Sequence, residues 1–242
     1  MRGLLVAIGF LTRIPVPLRV FDEADAKSRS LAWYPLVGLL IGVILAALAW
    51  LLRGQPSLLS GIVLLVAWVV LTGAMHLDGL ADSADAWVGG LGDRGRTLDI
   101  MKDPRCGPAG VVSIVLVLLL KGAALASLPP APWTGLLLAP MLARAALTAA
   151  FTSTRYVRAG GLGSTLADAP RGLCWLALAG VAALCPLLAG WRGLGALLAA
   201  TAVFGGWRGA CVRRLGGMTG DTCGALAELV EAAVLMVWVV AA

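Results

Sequence analysis

Long apolar runs alternate with short polar connections along most of this chain. A membrane crossing takes about 20 mostly apolar residues. On that measure the candidate spans fall at 31–52, 57–75, 109–127, 135–151, 172–189, 194–209 and 225–242. The fourth and sixth are the shortest, interrupted by Pro140, Arg144 and the Gly205-Gly206 pair. Ahead of them, the apolar stretch at 4–11 is too short to cross and has no small-residue cleavage site. With Arg2, Arg13 and Arg19 around it, an interfacial or re-entrant helix is expected. The predicted fold is therefore all-α: a polytopic transmembrane helix bundle of about 6–7 spans, with 1–242 as a single integral membrane domain.

The connections alternate in charge. One set carries Arg2, Arg13, Arg19, Lys27 and Arg29; then Arg94, Arg96, Lys102 and Arg105; then Arg155, Arg158 and Arg171; then Arg208, Arg213 and Arg214. The other set carries only Arg53, Lys121 and Arg192, and Arg144 falls within a span. The positive-inside rule places the first set in the cytoplasm and the C-terminus outside. The expected location is a bacterial or archaeal cytoplasmic (inner) membrane, with the polar chemistry on the cytoplasmic face. The outer connections, including Pro129-Pro130-Ala131-Pro132, are too small for a site.

Composition agrees with lipid as the solvent. The chain is 60% hydrophobic and 13% charged, with mean hydropathy +0.93, whereas a soluble domain is about 25% charged. The net charge of +6 lies in the connections, so membrane orientation explains it better than nucleic-acid binding. The five cysteines show no CxxC spacing, which implies neither a disulfide framework nor a zinc site. Gly38 and Gly42 form a GxxxG that suits close helix packing.

Chemistry concentrates in His76-Leu77-Asp78-Gly79-Leu80-Ala81-Asp82-Ser83-Ala84-Asp85. On a helix Asp78, Asp82 and Asp85 fall within an arc of about 60°. Three carboxylates on one face repel each other unless a cation sits between them. Hard oxygen ligands with an open sphere suit Mg2+, or Mn2+, better than zinc. The small residues between them let a bulky ligand approach. A solvated, capping helix end is the plainer alternative. His76, the only histidine, reads equally as a helix-end hydrogen bonder or as a group that positions or deprotonates an attacking hydroxyl.

Basic groups follow in Asp99-Ile100-Met101-Lys102-Asp103-Pro104-Arg105-Cys106-Gly107-Pro108. Gly107 and Pro108 would open the next helix, and its N-terminus favours anions. Lys102 and Arg105 beside it could grip a diphosphate against a carboxylate–metal face. In the last inner connection, Gly216-Gly217-Met218-Thr219-Gly220-Asp221 precedes a helix. Asp221, Glu228 and Glu231 fall within about 80° on that side. Glu228 and Glu231 should face the bundle interior or a wet cavity. The connection with Arg155, Arg158, Gly160, Gly161, Gly163, Ser164, Thr165 and Asp168 reads either as a polar cover for substrate or as a plain linker.

These segments, in this order, resemble cobalamin synthases, the membrane-bound adenosylcobinamide-GDP ribazoletransferases. The resemblance runs nearly end to end. It is carried by Phe10-Leu11-Thr12-Arg13-Ile14-Pro15, Tyr34-Pro35-Leu36-Val37-Gly38, the run from His76 to Asp85, Ile100-Met101-Lys102-Asp103 with Arg105 and Gly107, and Gly216-Gly217 with Thr219-Gly220-Asp221. Pro104 and Ala86 depart from the family's usual small polar residue and glycine.

The resemblance implies that a ribose hydroxyl of α-ribazole, or of its 5′-phosphate, attacks adenosylcobinamide-GDP, releases GMP and completes a cobamide. It also implies Mg2+ dependence. Asp78, Asp82 and Asp85 would hold the metal, and Asp82, Asp85 or His76 would assist the hydroxyl. Lys102, Asp103, Arg105, Gly220 and Asp221 would bind substrate and phosphate. The expected partners are those substrates, the lipid bilayer, and a second copy or other cobamide-assembly proteins. The Asp78-Gly79-Leu80-Ala81-Asp82-Ser83-Ala84-Asp85 run is similar also to the motif of CDP-alcohol phosphotransferases, although that motif's Ala-Arg and later aspartates are absent. From another class, an ion-coupled transporter would use Glu228, Glu231 and Arg144, but it would spread carboxylates through the bilayer rather than gather them at one face.

Overall fold

The structure, a computed structural model, describes residues 2–128, 133–158 and 162–240. Of the segments singled out above, 129–132, Gly160, Gly161, the side chain of Ser164 and the last two residues of the final span lie outside the described residues. The described chain is helical throughout apart from turns and one bridge.

The ten-residue α1 (Arg2–Leu11) packs against α2 (Ala24–Ser30). The first long helix, α3 (Tyr34–Leu51), joins α2 in an apolar stretch long enough to cross a membrane. Next comes α4 (Ser57–Thr72), and then α5 (Met75–Gly89), bent from it by 88°. The acidic run is thus not the tail of the second span but a separate helix. Two consecutive left-handed residues, Gly73 (φ 65°) and Ala74 (φ 58°), make the corner. Arg13 holds it: its N–H donates to the Leu71 carbonyl at 2.7 Å and its Nη2 to the Gly73 carbonyl at 3.5 Å. A short α6 (Arg94–Ile100) leads to α7 (Pro108–Ala126) and α8 (Trp133–Ser153). Gly107 and Pro108 open α7 as the sequence predicts.

The fifth and sixth predicted spans lie in one helical stretch, α9 (Arg171–Leu215), broken at Gly190 (φ 54°, ψ −133°). Unbroken, its 45 residues would run about 67 Å at 1.5 Å per residue, twice a bilayer core. It folds back instead: the backbone of Gly193 lies against the carbonyl of Cys185, and Leu178 and Val181 on 171–189 face the same crevice as Leu197 and Thr201 on 191–215. The short connection expected between those two spans, which carries Arg192, is therefore helical beyond Gly190, and a single residue makes the reversal. The last helix, α10 (Gly220–Val240), begins earlier than the predicted span, so Asp221 lies in its first turn.

Helices α8 and α10 are the most enclosed of the long helices, while α7 and α9 turn most of their surface outward. Large apolar side chains such as Ile62, Val66, Leu116, Leu119, Leu176 and Leu198 are exposed, which suits lipid and not water. Gly38 and Gly42 seat α3 directly on the Pro140 and Leu136 carbonyls of α8, so the GxxxG serves packing.

Lys121 corrects the sequence reading. It is not in an outer connection but inside α7, 2% exposed. Its Nζ lies 2.9 Å from Glu228 Oε2 and 2.5 Å from Glu231 Oε2, and over the Trp68 ring. Glu231 also pairs with Arg144, which is fully buried on α8. Two cations and two carboxylates therefore balance inside the bundle. The interior acids are committed to partners within the protein, which removes the sequence feature that favoured transport.

Candidate active site

At one end of the bundle a cavity of about 840 Å3 opens among α1, α3, α5, α6, α8, α10, the segment Tyr156-Val157-Arg158 and Gly163. Two glycines place its acids. Gly79 of α5 lies against the Asp221 backbone of α10, and Gly224 of α10 lies against Gly79 and the His76 backbone. A side chain at either would push the helices apart. With both absent, α5 and α10 cross closely enough to bring Asp78 and Asp82 beside Asp221.

The three aspartates of α5 do share one face, but their surroundings differ. Asp78 lines the cavity. Asp82 is half-buried, within electrostatic reach of Asp78, Asp221, Arg158 and Asp85. Among the described residues neither Asp78 nor Asp82 has a side-chain hydrogen bond or ion pair. Asp85 is committed elsewhere: it accepts from the backbone N–H groups of Gly107 at 2.7 Å and Gly110 at 2.8 Å. The amides that open α7, expected to face a diphosphate, are thus filled by a carboxylate of this chain. Asp85→Ala is expected to free the start of α7 and cost about 1.5–3 kcal/mol, because hydrogen bonds to a charged group are lost. Thermal unfolding in detergent checks this; an unchanged midpoint would show that Asp85 does not tie α5 to α7.

His76 faces inward, 4% exposed, with Nδ1 3.3 Å from Arg144 Nη2. It borders the cavity, yet its ring joins the interior charge network. Lys102 lines the cavity and makes a loose 3.3 Å pair with Asp99. Arg105 is not in the lining. It is 86% exposed and grips Asp103 with two hydrogen bonds, at 2.9 and 2.7 Å. That grip, with the Arg105 N–H, holds the Asp103 carboxyl down at about 2.

The structure adds residues outside the initial site set. Arg158 ion-pairs Asp221 at 2.9 Å on the cavity wall. Its segment is fixed by a parallel bridge between Tyr156 and Met218, in which the Val157 N–H donates to Met218 and the Met218 N–H to Arg155. Gly217 permits this, since a side chain there would strike the Arg155 carbonyl. Tyr156, Tyr34, Phe10, Phe151 and Thr219 complete much of the lining. Burial raises the Tyr156 phenol above its ordinary range, so it stays protonated.

Among the described residues, no three His, Cys, Asp or Glu side chains converge closely enough to enclose a metal ion by themselves. The donor chemistry still fits Mg2+. That ion keeps several waters and takes one or two carboxylates plus substrate phosphate oxygens, and Asp78 and Asp82 are two adjacent, unpartnered carboxylates.

Fold and site together define a polytopic, all-helical membrane protein with an acid-and-base-lined cavity at one end of its bundle. The chain belongs to the family described as cobalamin-5-phosphate synthase, whose model matches residues 3–239. It is 55% identical over 238 residues to an adenosylcobinamide-GDP ribazoletransferase of Pseudomonas fluorescens (strain Pf0-1), covering 98% of both chains. A protein of that name from Pseudomonas aeruginosa (strain PAO1) is 54% identical over 239 residues, covering 98% of this chain and 97% of its own. No solved structure matches the chain.

Proposed function

We propose that this chain transfers the cobinamide-phosphate group of adenosylcobinamide-GDP to a ribose hydroxyl of α-ribazole or its 5′-phosphate. The observation that carries the reading is the meeting of Asp78 and Asp221 with Lys102 and Arg158 around one cavity, with Asp82 just behind that lining and within electrostatic reach of Asp78 and Asp221, in a chain matching ribazoletransferases over nearly its whole length. The ribose oxygen forms a bond to the cobinamide-linked phosphorus, and the bond from that phosphorus to the bridging oxygen breaks. GMP leaves with the bonding electrons. Displacement of this kind depends on positioning and charge neutralisation more than on covalent catalysis.

Asp78 and Asp82 would hold Mg2+ (or Mn2+). When bound, the ion supplies charge neutralisation at the diphosphate. Lys102 and Arg158 grip phosphate oxygens. Asp221 holds Arg158 toward the cavity through their ion pair. Because Asp85 and His76 are engaged with α7 and Arg144, Asp82 is the best-placed acceptor for the hydroxyl proton. The cavity is lined from the arginine- and lysine-bearing connections, which supports a cytoplasmic site in a bacterial or archaeal inner membrane.

Purified protein given adenosylcobinamide-GDP, α-ribazole and Mg2+ is expected to yield a cobamide and one GMP per turnover. EDTA is expected to stop the reaction and excess Mg2+ to restore it. A cobamide never formed under these conditions would overturn the activity; undiminished turnover in EDTA would overturn the metal role alone.

A further inference from the structure

The cavity has two chemically different walls. The polar wall comes from α5, the turn that follows α6, and α10, and carries Asp78, Lys102 and Asp221. The other wall comes from α1, α3 and α8 and carries Phe10, Leu11, Tyr34, Leu147 and Phe151. Its rings are paired: Phe10 stacks on Tyr34 with centroids 6.3 Å apart and planes 20° apart, and Phe151 stacks on Tyr156 at 5.9 Å and 30°. The second pair is held from behind by Gly163, whose backbone lies so close to both rings that any side chain would displace them. Tyr156 spans the two walls, since its hydroxyl also approaches Gly220, next to Asp221.

Size separates the substrates. A pocket of about 300–1,000 Å3 encloses one drug-sized molecule. At about 840 Å3 this cavity can take a nucleoside, but not a nucleoside and a corrinoid nucleotide together. A ring-lined apolar wall suits a flat, uncharged heteroaromatic group, because aromatic faces stack on such bases. The corrinoid is too large for that space, and the guanosine diphosphate requires the charged groups. We infer that the aromatic wall formed by Phe10, Phe151 and Tyr156, with the buried Tyr34 backing Phe10, is the subsite for the heteroaromatic base of the ribazole nucleoside. The base stacks there, its ribose points at Asp82, and the corrinoid stays outside the cavity mouth. This assignment rests on the proposed ribazole transfer.

The test uses the full chain in detergent with two readouts. Equilibrium dialysis of labelled α-ribazole, with no corrinoid present, is expected to show binding by the wild type and at least about tenfold weaker binding by Phe151→Leu, from loss of one stacking partner. In the transfer assay Phe151→Leu is expected to raise KM for α-ribazole about tenfold and to leave KM for adenosylcobinamide-GDP within twofold. Phe151→Tyr, which keeps the ring, is expected to stay near wild type in both and controls for misfolding. Equal α-ribazole affinity in wild type and Phe151→Leu, or a rise confined to KM for adenosylcobinamide-GDP, would overturn the subsite. A wild type that binds α-ribazole but never makes a cobamide would overturn the transfer reaction while leaving the base subsite standing.

Discussion

Asp82→Asn is expected to lower turnover roughly a hundred- to thousandfold, the range found when one preorganised electrostatic group is removed from a reacting centre, while the protein stays folded. The substitution is isosteric and alters only charge and proton affinity. Asp82 faces Asp78, Asp221 and Asp85, with Arg158 the one opposing cation named among its electrostatic neighbours. Neutralising it relieves like-charge repulsion, so thermal stability without Mg2+ should hold or rise. Loss of activity with unchanged or higher stability is the signature of a group retained for chemistry at some cost to the fold. The Mg2+ concentration giving half-maximal rate should also rise in any residual activity. Asp85→Ala is the contrasting case: two strong hydrogen bonds go and stability falls. Near-normal turnover by Asp82→Asn would remove both the ion and the proton from this residue.

The contrast between these neighbours marks how far sequence reasoning reached. Helical periodicity put Asp78, Asp82 and Asp85 on one face, and they are there. It could not show that Asp85 meets the backbone of Gly107 and Gly110, because that contact depends on where α7 begins relative to α5. Arg158 was visible only as a cation in a polar connection; its partner, Asp221, is 63 residues away. The break in α9 left a faint trace because one positive-φ glycine suffices to reverse the chain. Lys121 was legible and misread. Val117, Lys121, Ala124 and Leu125 follow one helical stripe, and all are buried, so phase along α7 pointed inward where charge alone suggested an outer connection. Its acidic partners were correctly expected to face the interior.

Glu231→Gln is expected to cost about 3–5 kcal/mol of stability, because it leaves a buried cation without its counter-charge. Glu231 is 1% exposed and contacts both Lys121 and Arg144. With its charge gone, Glu228 alone faces two interior cations. Lys121 keeps a 2.9 Å partner, but among the described residues Arg144 pairs with no other carboxylate. The same loss should follow Arg144→Met, which strands Glu231 beside Lys121 and releases His76 from its contact. The double variant removes one positive and one negative group together and leaves the neutral Lys121–Glu228 pair. It should therefore cost clearly less than the sum of the single losses. Denaturant or thermal unfolding in detergent reads the cycle. Single losses below about 1 kcal/mol, or strictly additive losses, would mean that these charges do not act as a unit. The network also bears on catalysis through geometry. Glu228 and Glu231 lie on the helix whose first turn carries Asp221, and His76 lies on the helix that carries Asp78 and Asp82. Four helices are tied at one level of the bundle, and the register of α5 against α10 at the cavity depends on that tie. Turnover in the single variants should accordingly fall further than their folded fraction, and should recover in the double variant as the helix register is restored.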